Sequence, residues 1–224
     1  MTRQRIGILL PSSNTVLEPL SATLLAGMAI TAHFSRLGVI DVSLERASRA
    51  QFEMEKMRQA AALLCDAQVD ALVWGGTSSS WLGVDHDLAF CRSIQAETGI
   101  PTGSCVLEMN QQLKERNARN IALVTPYAED VHQQIIGNYQ TMGFTCVSSA
   151  FHGGSLSNGY ADISAGEIAR MVRAVADKKP DAILIMCTNV RGAAVAEHIS
   201  HETGIPVIDS AAATLQAGLR FLGQ

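Results

Sequence analysis

DAILIMCTN, Asp181 to Asn189, is an apolar run of strand length that ends on a cysteine and two small polar residues. DALVWGGTS, Asp70 to Ser78, has the same shape 111 positions earlier, with Gly76 where the cysteine falls. ETGIP occurs twice, at Glu97–Pro101 and at Glu202–Pro206, an offset of 105. RIGILLPSSN, from Arg5, resembles NIALVTPYAE, from Asn120, at an offset of 115. Shared turn chemistry between α/β units accounts for one such match. Three in the same order make the chain read as two similar halves of roughly 110 residues.

Working outward, apolar runs alternate with stretches of helical period. Strands are predicted near 6–10, 30–37, 70–74, 121–125, 144–149 and 181–186, and helices near 15–26, 46–67, 85–97, 128–141, 164–178, 190–202 and 211–222. This βαβ rhythm predicts the α/β class, with two pseudo-symmetric domains, each a parallel sheet flanked by helices. Ligands of open parallel sheets sit beyond the carboxyl ends of the strands, so the active site is expected in the cleft between domains, with Gly76 facing Cys187.

The 224 residues, 47% of them hydrophobic, suffice for one α/β domain or two small ones. A net charge of -4 without blocks of like charge argues against nucleic-acid or membrane-surface partners. MTRQRIGILLPSSN has too short an apolar run before Pro11 for a signal peptide and is read as leading into the first strand. No apolar run approaches membrane-spanning length. Five scattered cysteines, without zinc-like spacing, fit reduced thiols in a cytoplasmic protein.

A thiol at a strand tip just before a helix expected to start near Val190 lies close to that helix's unpaired N–H groups and positive dipole end. Both favour thiolate, so Cys187 is the candidate for chemistry. Cys65, Cys91, Cys105 and Cys146 fall within or at the starts of helices and strands and read as packing residues.

GILLPSSNTVLEP at the first strand tip, VTPYAEDV at its counterpart and MCTN near the end resemble the aspartate/glutamate racemase superfamily, in its maleate isomerase and arylmalonate decarboxylase branch. The resemblance covers nearly the whole chain. It implies two domains enclosing a substrate carboxylate, no metal and no organic cofactor. It also implies a final helix swapped back onto the first half, giving domains of 1–105 plus 208–224 and of 106–207. Racemases and maleate isomerases of the superfamily carry a cysteine from each half. Arylmalonate decarboxylases resemble this chain more closely, with a glycine followed by Thr-Ser at the first tip and only the second cysteine.

The resemblance therefore implies a cofactor-independent decarboxylase of a substituted malonate. Thr77, Ser78 and Tyr127 would donate hydroxyl hydrogen bonds to an enediolate, and backbone N–H groups around Ser12, Ser13 and Thr188 would complete the pocket. Cys187 would supply one proton to carbon. Pro11, Ser12, Ser13, Asn14 and Gly76 are expected at the substrate, although Pro11 to Asn14 would also form a turn capping the next helix. Asn158, in GGSLSNGYAD, resembles a substrate-contacting asparagine of maleate isomerases. LGVIDVSL, Leu37 to Leu44, is the candidate apolar wall.

Two other readings stay open: thiol addition to a maleate-like diacid, giving cis-trans isomerisation, and a carboxylate-binding protein without turnover. A Gly76→Cys change is expected to introduce exchange of an α-proton. Among the histidines only His152, in the loop before Gly153, is a candidate. Trp74 and Trp81 flank the Gly76 turn, and Arg191 follows Cys187 as a solvated helix start. The expected partner is a small dicarboxylate, and a homo-oligomer is left open.

Overall fold

The computed structural model describes residues 3–224. Residues 1 and 2 of the stretch read as leading into the first strand lie outside the described residues. The first half runs β1 (Gln4–Pro11), α1 (Leu17–Leu24), β2 (Ile30–Leu37), α2 (Arg46–Arg49), α3 (Met54–Asp66), β3 (Ala71–Trp74), α4 (Ser79–Leu82), α5 (Val84–Thr98), β4 (Thr102–Ser104) and α6 (Cys105–Glu115). The second runs β5 (Asn120–Tyr127), α7 (Glu129–Thr141), β6 (Thr145–Gly154), α8 (Ala165–Ala176), β7 (Ala182–Ile185), α9 (Ala193–Thr203), β8 (Val207–Asp209) and α10 (Ser210–Phe221). Each half holds one four-stranded parallel sheet, ordered β2-β1-β3-β4 and β6-β5-β7-β8.

The ladders carry the sequence repeat into space. Ile6 pairs with Ala71 and Leu72 with Thr102; in the second half Ile121 pairs with Ala182 and Ile183 with Val207. Those partners differ by the same 115, 111 and 105 positions that separate the repeated segments. The two sheets are therefore the same object built twice.

The repeated residues have repeated duties. Gly99 and Gly204 take left-handed φ values of 72° and 70° at the ends of α5 and α9, a conformation glycine adopts without Cβ strain. The threonine before each glycine bonds backward and forward. Thr98 Oγ1 donates to Ile94 O at 2.7 Å and accepts from Ile100 N at 3.1 Å. Thr203 does the same with Ile199 and Ile205 at 2.8 and 3.2 Å. Asp70 and Asp181, which open the matched strand segments, accept from the amides of Arg5 and Asn120 at 2.7 Å.

Central strands are apolar on both faces, as a covered parallel sheet requires. On β1, Ile6, Ile8 and Leu10 pack with Leu17 of α1 and Leu215 of α10, while Leu9 faces a larger core shared by both halves. α10 lies so close to β1 that a Cβ on Gly218 would stand 2.7 Å from Ile6 Cγ2. α10 packs on β1, β3 and β4 of the first sheet and pairs with α6. α6 in turn puts Met109 and Leu113 into the core that holds Ile121 and Tyr139. The Arg220 guanidinium clamps the two helices with two 2.9 Å bonds to the buried Glu108 carboxylate.

Three expectations need correction. The helix expected over 46–67 is broken at Glu53, whose ψ of 135° is extended. The break lets Phe52 turn inward against Trp74 and Trp81, at ring-centroid distances of 6.4 and 5.9 Å. Helical period in the sequence yields there to aromatic packing. The helix expected at 190–202 begins only at Ala193. β6, expected over 144–149, runs on to Gly154 as a partly exposed edge strand. Among the described residues no helix is long and apolar enough to cross a membrane.

Candidate active site

The strand tips of β1, β3, β5 and β7 converge on one cavity between the halves. Pro11, the Gly76-Thr77-Ser78 turn, Tyr127 and the Cys187-Thr188-Asn189 turn line it. Val39, Val42, Phe52, Trp81 and Tyr160 form an apolar wall, and Ser157 completes the lining. Val39 and Val42 belong to the segment read as that wall. A larger open groove of about 560 Å³ lies between α9 and α10, but neither Cys187 nor the Gly76 turn reaches it.

The cleft is closed. Its open space is about 20 Å³, room for about one water molecule and no diacid. A clasp of two loops lies beside the cavity, next to its lining residues Val42 and Ser157: Asp41 and Leu156 form an antiparallel bridge, with Val42 N donating to Ser155 O and Ser157 N to Ile40 O at 3.1 and 3.2 Å. Ile40 and Leu156, on the outside of the clasp, are exposed.

Polar groups at the floor reach across the halves. Thr77 Oγ1 and the Tyr127 hydroxyl are 2.6 Å apart. Thr188 Oγ1 donates to Gly75 O at 2.8 Å and accepts from Asn14 Nδ2 at 3.1 Å. The amides of Thr77, Ser78 and Thr188 donate to no other group among the described residues. No Lys or Arg lines the cavity among those residues, so an anion there would meet hydroxyl and amide dipoles instead of a cation.

Cys187 is buried, its own amide donating to Ser210 Oγ at 3.0 Å. Burial pushes its thiol up to about 12, against the opposing pull of the Tyr127 hydroxyl and the Asn189 amide. The expectation of helix-stabilised thiolate is not met: α9 starts only at Ala193, and desolvation is the largest influence on the buried thiol. In the closed cleft Cys187 is a neutral acid. Tyr127 is pushed well up by burial and by Cys187, and stays a protonated donor.

The serine run supplies the turn and cap expected of it, and in the closed cleft most of it stays out of the lining. Of Pro11 to Asn14 only Pro11 lines the cavity. Ser12 N donates to Leu37 O at 2.7 Å and Ser12 Oγ accepts from Val39 N at 3.0 Å, so this amide is not free for substrate. Ser13 Oγ lies 2.9 Å from both Val39 O and Ser157 Oγ. Asn14 Oδ1 accepts from the Val16 and Leu17 amides at 2.9 and 3.0 Å, the cap the sequence suggested. Asn158 is exposed and outside the lining; its neighbour Ser157 takes the inner place because the short turn there points Asn158 to solvent.

Sequence reasoning missed Ser157, Tyr160 and Asn189. Asn189 is the counterpart of Ser78 at the 111 offset, a signal that could have found it. Its Oδ1 accepts from Thr15 N at 2.9 Å and its Nδ2 donates to Ser157 O at 2.7 Å, tying both halves to the clasp. Ser157 and Tyr160 sit in a 3-10 turn over Ser157–Asp162, three residues apart on its buried side, and the turn is too short for a hydrophobic period to betray them. His152 is exposed on β6, away from the lining, and Arg191 donates to Ala161 O at 3.1 Å from the surface. Among the described residues no group of three or more His, Cys, Asp or Glu is placed to hold a metal ion.

Paired parallel sheets that close on one strand-tip thiol define a two-domain α/β protein with a cysteine-bearing interdomain cleft. The arylmalonate decarboxylase family model matches residues 6–224, and the chain belongs to that family. It is 26% identical over 234 residues to the maleate isomerase of Nocardia farcinica (strain IFM 10152), covering 98% of this chain and 90% of that one. Among solved structures it is similar to a Nocardia farcinica maleate cis-trans isomerase variant with a covalently bound succinylcysteine intermediate. There the TM-score is 0.86 at 21% identity, covering 98% of this chain and 93% of the other. A liganded double variant of arylmalonate decarboxylase gives a TM-score of 0.84 at 18% identity, with the same coverage.

Proposed function

We propose that the chain is a cofactor-independent decarboxylase of a substituted malonate, with Cys187 as the proton donor. The observation carrying this reading is the lone thiol: Cys187 lines the cavity across from Gly76, and burial holds it neutral. A carbanion needs a proton from an acid, which a neutral thiol is.

The chemistry balances on this chain's own groups. The bond from the α-carbon to one carboxylate breaks, carbon dioxide leaves, and the electron pair stays as an enediolate. The Ser78 hydroxyl, whichever of the Thr77 and Tyr127 hydroxyls does not donate to the other, and the amides of Thr77, Ser78 and Thr188 would stabilise its oxygens. The Cys187 thiol then protonates carbon and is left as thiolate, which takes its proton back from water. The departing carboxylate would lie against Val39, Val42 and Phe52, where loss of charge is favoured. Because the cavity is too small for a diacid, the clasp must part on binding.

The division into 1–105 plus 208–224 and 106–207 is part of the proposal, supported by α10 packing on the first sheet. Five unpaired cysteines support a cytoplasmic setting.

A second reading has a specific observation behind it. The Nocardia relative is a maleate isomerase, and its variant was trapped as a succinylcysteine. Here Cys187 would have to ionise, add to a cis-enedioate, allow rotation, and leave. Phenylmalonate and maleate offered separately decide between the two. Carbon dioxide release from phenylmalonate that vanishes in Cys187→Ser supports the decarboxylase. Conversion of maleate to fumarate without gas overturns it, and binding without turnover of either leaves a carboxylate-binding protein.

A further inference from the structure

Position 76 is glycine because of a neighbour, not because of its backbone. Gly76 is not among the residues with positive φ, so its conformation suits any L-residue. An ideal Cβ built there, however, falls inside the Trp74 indole, 2.6 Å from Cε2 and 2.7 Å from Cη2, and closer still to Cζ2. Ordinary carbon contacts begin near 3.5 Å. The indole has nowhere to retreat. It is fully buried, meets Phe52 edge-on, and donates from Nε1 to Ser78 Oγ at 3.2 Å.

The second half solves the same packing problem in reverse. At the 111 offset the counterpart of Trp74 is Ile185 and that of Gly76 is Cys187. Both pairs are two residues apart at the end of an extended segment, where such residues share a side. One half places its bulk on the strand and leaves the tip bare; the other keeps the strand residue smaller and carries the thiol at the tip. The absent second thiol is thus a consequence of core packing behind the turn.

We propose that Trp74 is a specificity-determining residue: its indole takes the space a second thiol would need and confines proton delivery to the face served by Cys187. The functional half of this statement rests on the reading of Cys187 as a proton donor to a substrate carbon. Racemisation needs a thiolate on one face to take the α-proton while a thiol on the other gives one, the electron pair passing through the enediolate. Copying the second half into the first would supply that arrangement. It also changes the outcome expected for Gly76→Cys alone, which should not gain exchange.

The test compares wild type, Gly76→Cys, Trp74→Ile and the double variant Trp74→Ile/Gly76→Cys. Thermal unfolding needs no substrate and reads the packing. Gly76→Cys should melt at least about 5 °C below wild type through overpacking. Trp74→Ile should lower the melting point of wild type yet raise that of Gly76→Cys, a reversal of sign. Additive effects, or a Gly76→Cys protein as stable as wild type, overturn the proposal.

Deuterium uptake at the α-carbon of enantiopure 2-phenylpropionate, followed by NMR, reads the chemistry. Only the double variant should exchange and racemise it, at least about tenfold above the others, and a further Cys187→Ser change should abolish this. Exchange by Gly76→Cys alone, or none by a double variant that still decarboxylates phenylmalonate, overturns it as well. If wild type does not decarboxylate phenylmalonate, the proposed function fails, and with it the claim about proton delivery. The melting reversal would still decide whether Trp74 excludes a second thiol.

Discussion

Thr77 Oγ1 and the Tyr127 hydroxyl meet at 2.6 Å across the boundary between the halves, both buried at the cavity floor. One proton serves this bond, so the other hydroxyl hydrogen is free to point at a bound carboxylate. The pair joins the two halves at the cavity they share. Tyr127→Phe removes one donor and leaves Thr77 without its partner. Its kcat/KM for phenylmalonate should fall on the order of 10²-fold, the usual cost of one lost donor in a dry oxyanion site. Thr77→Val should cost a similar factor, and the double variant less than the product of the two, because the residues share one interaction.

With Cys187 as the proposed proton donor, the raised thiol makes a prediction about pH. An acid held up to about 12 by burial stays protonated through the neutral and mildly alkaline range. The decarboxylation rate should therefore show no Cys187-linked fall on the alkaline side below about pH 9, the ordinary thiol range. Thiolate ultraviolet absorbance attributable to Cys187, taken as wild type minus Cys187→Ser, should be absent at neutral pH in the unliganded protein. A thiolate signal at pH 7 would contradict the closed-cleft picture.

Asp209 sets a second, structural pH dependence. Its Oδ1 caps α10 by accepting from Ala212 N at 2.9 Å, but burial pushes the carboxyl from 3.8 up to about 7. Between these values the folded protein holds a proton that the unfolded chain has released. Stability should therefore be highest below about pH 4 as far as this group is concerned, and fall as pH rises toward 7. Asp209→Asn keeps an oxygen for the cap and removes the titration. Denaturant midpoints measured from pH 4 to 8 should fall less steeply in the variant, the gap opening toward the alkaline end.

The clasp offers a direct check on entry. Asp41 and Leu156 are directly opposed in an antiparallel bridge, a geometry within disulfide reach. Oxidised Asp41→Cys/Leu156→Cys protein should lose turnover by at least about tenfold and regain it with reductant, since a 20 Å³ cavity admits no diacid until the loops separate. Turnover indifferent to the crosslink would place the entrance elsewhere.

The architecture was legible because its register is written in the repeat. Asp70 and Asp181, and the threonine-glycine pairs at 98–99 and 203–204, perform backbone duties that only those residue types perform well, so the segments stayed alike. The strand tips followed, and with them Gly76, Thr77, Ser78, Tyr127, Cys187 and Thr188. The wall and the clasp were harder to read. Ser157 and Tyr160 lie in a 3-10 turn too short to show a period, and Phe52 enters the cavity through a break at Glu53 that aromatic packing imposes. The polar run after Pro11 carries two readings for a related reason. Serine and asparagine bond to backbone as readily as to ligand, and here Val39, Val16 and Leu17 claimed them first.

The exchange of α10 onto the opposite sheet reaches beyond the cleft, to how the chain is born. Ile6 and Ile8 leave the ribosome long before Leu215, one of the residues that cover them. Leu17 of α1 covers part of this apolar face early, and the share that belongs to α10 is added only when that helix is made. The sheet begun by β1 is therefore completed by a helix that follows β8, so the two halves finish folding in dependence on one another.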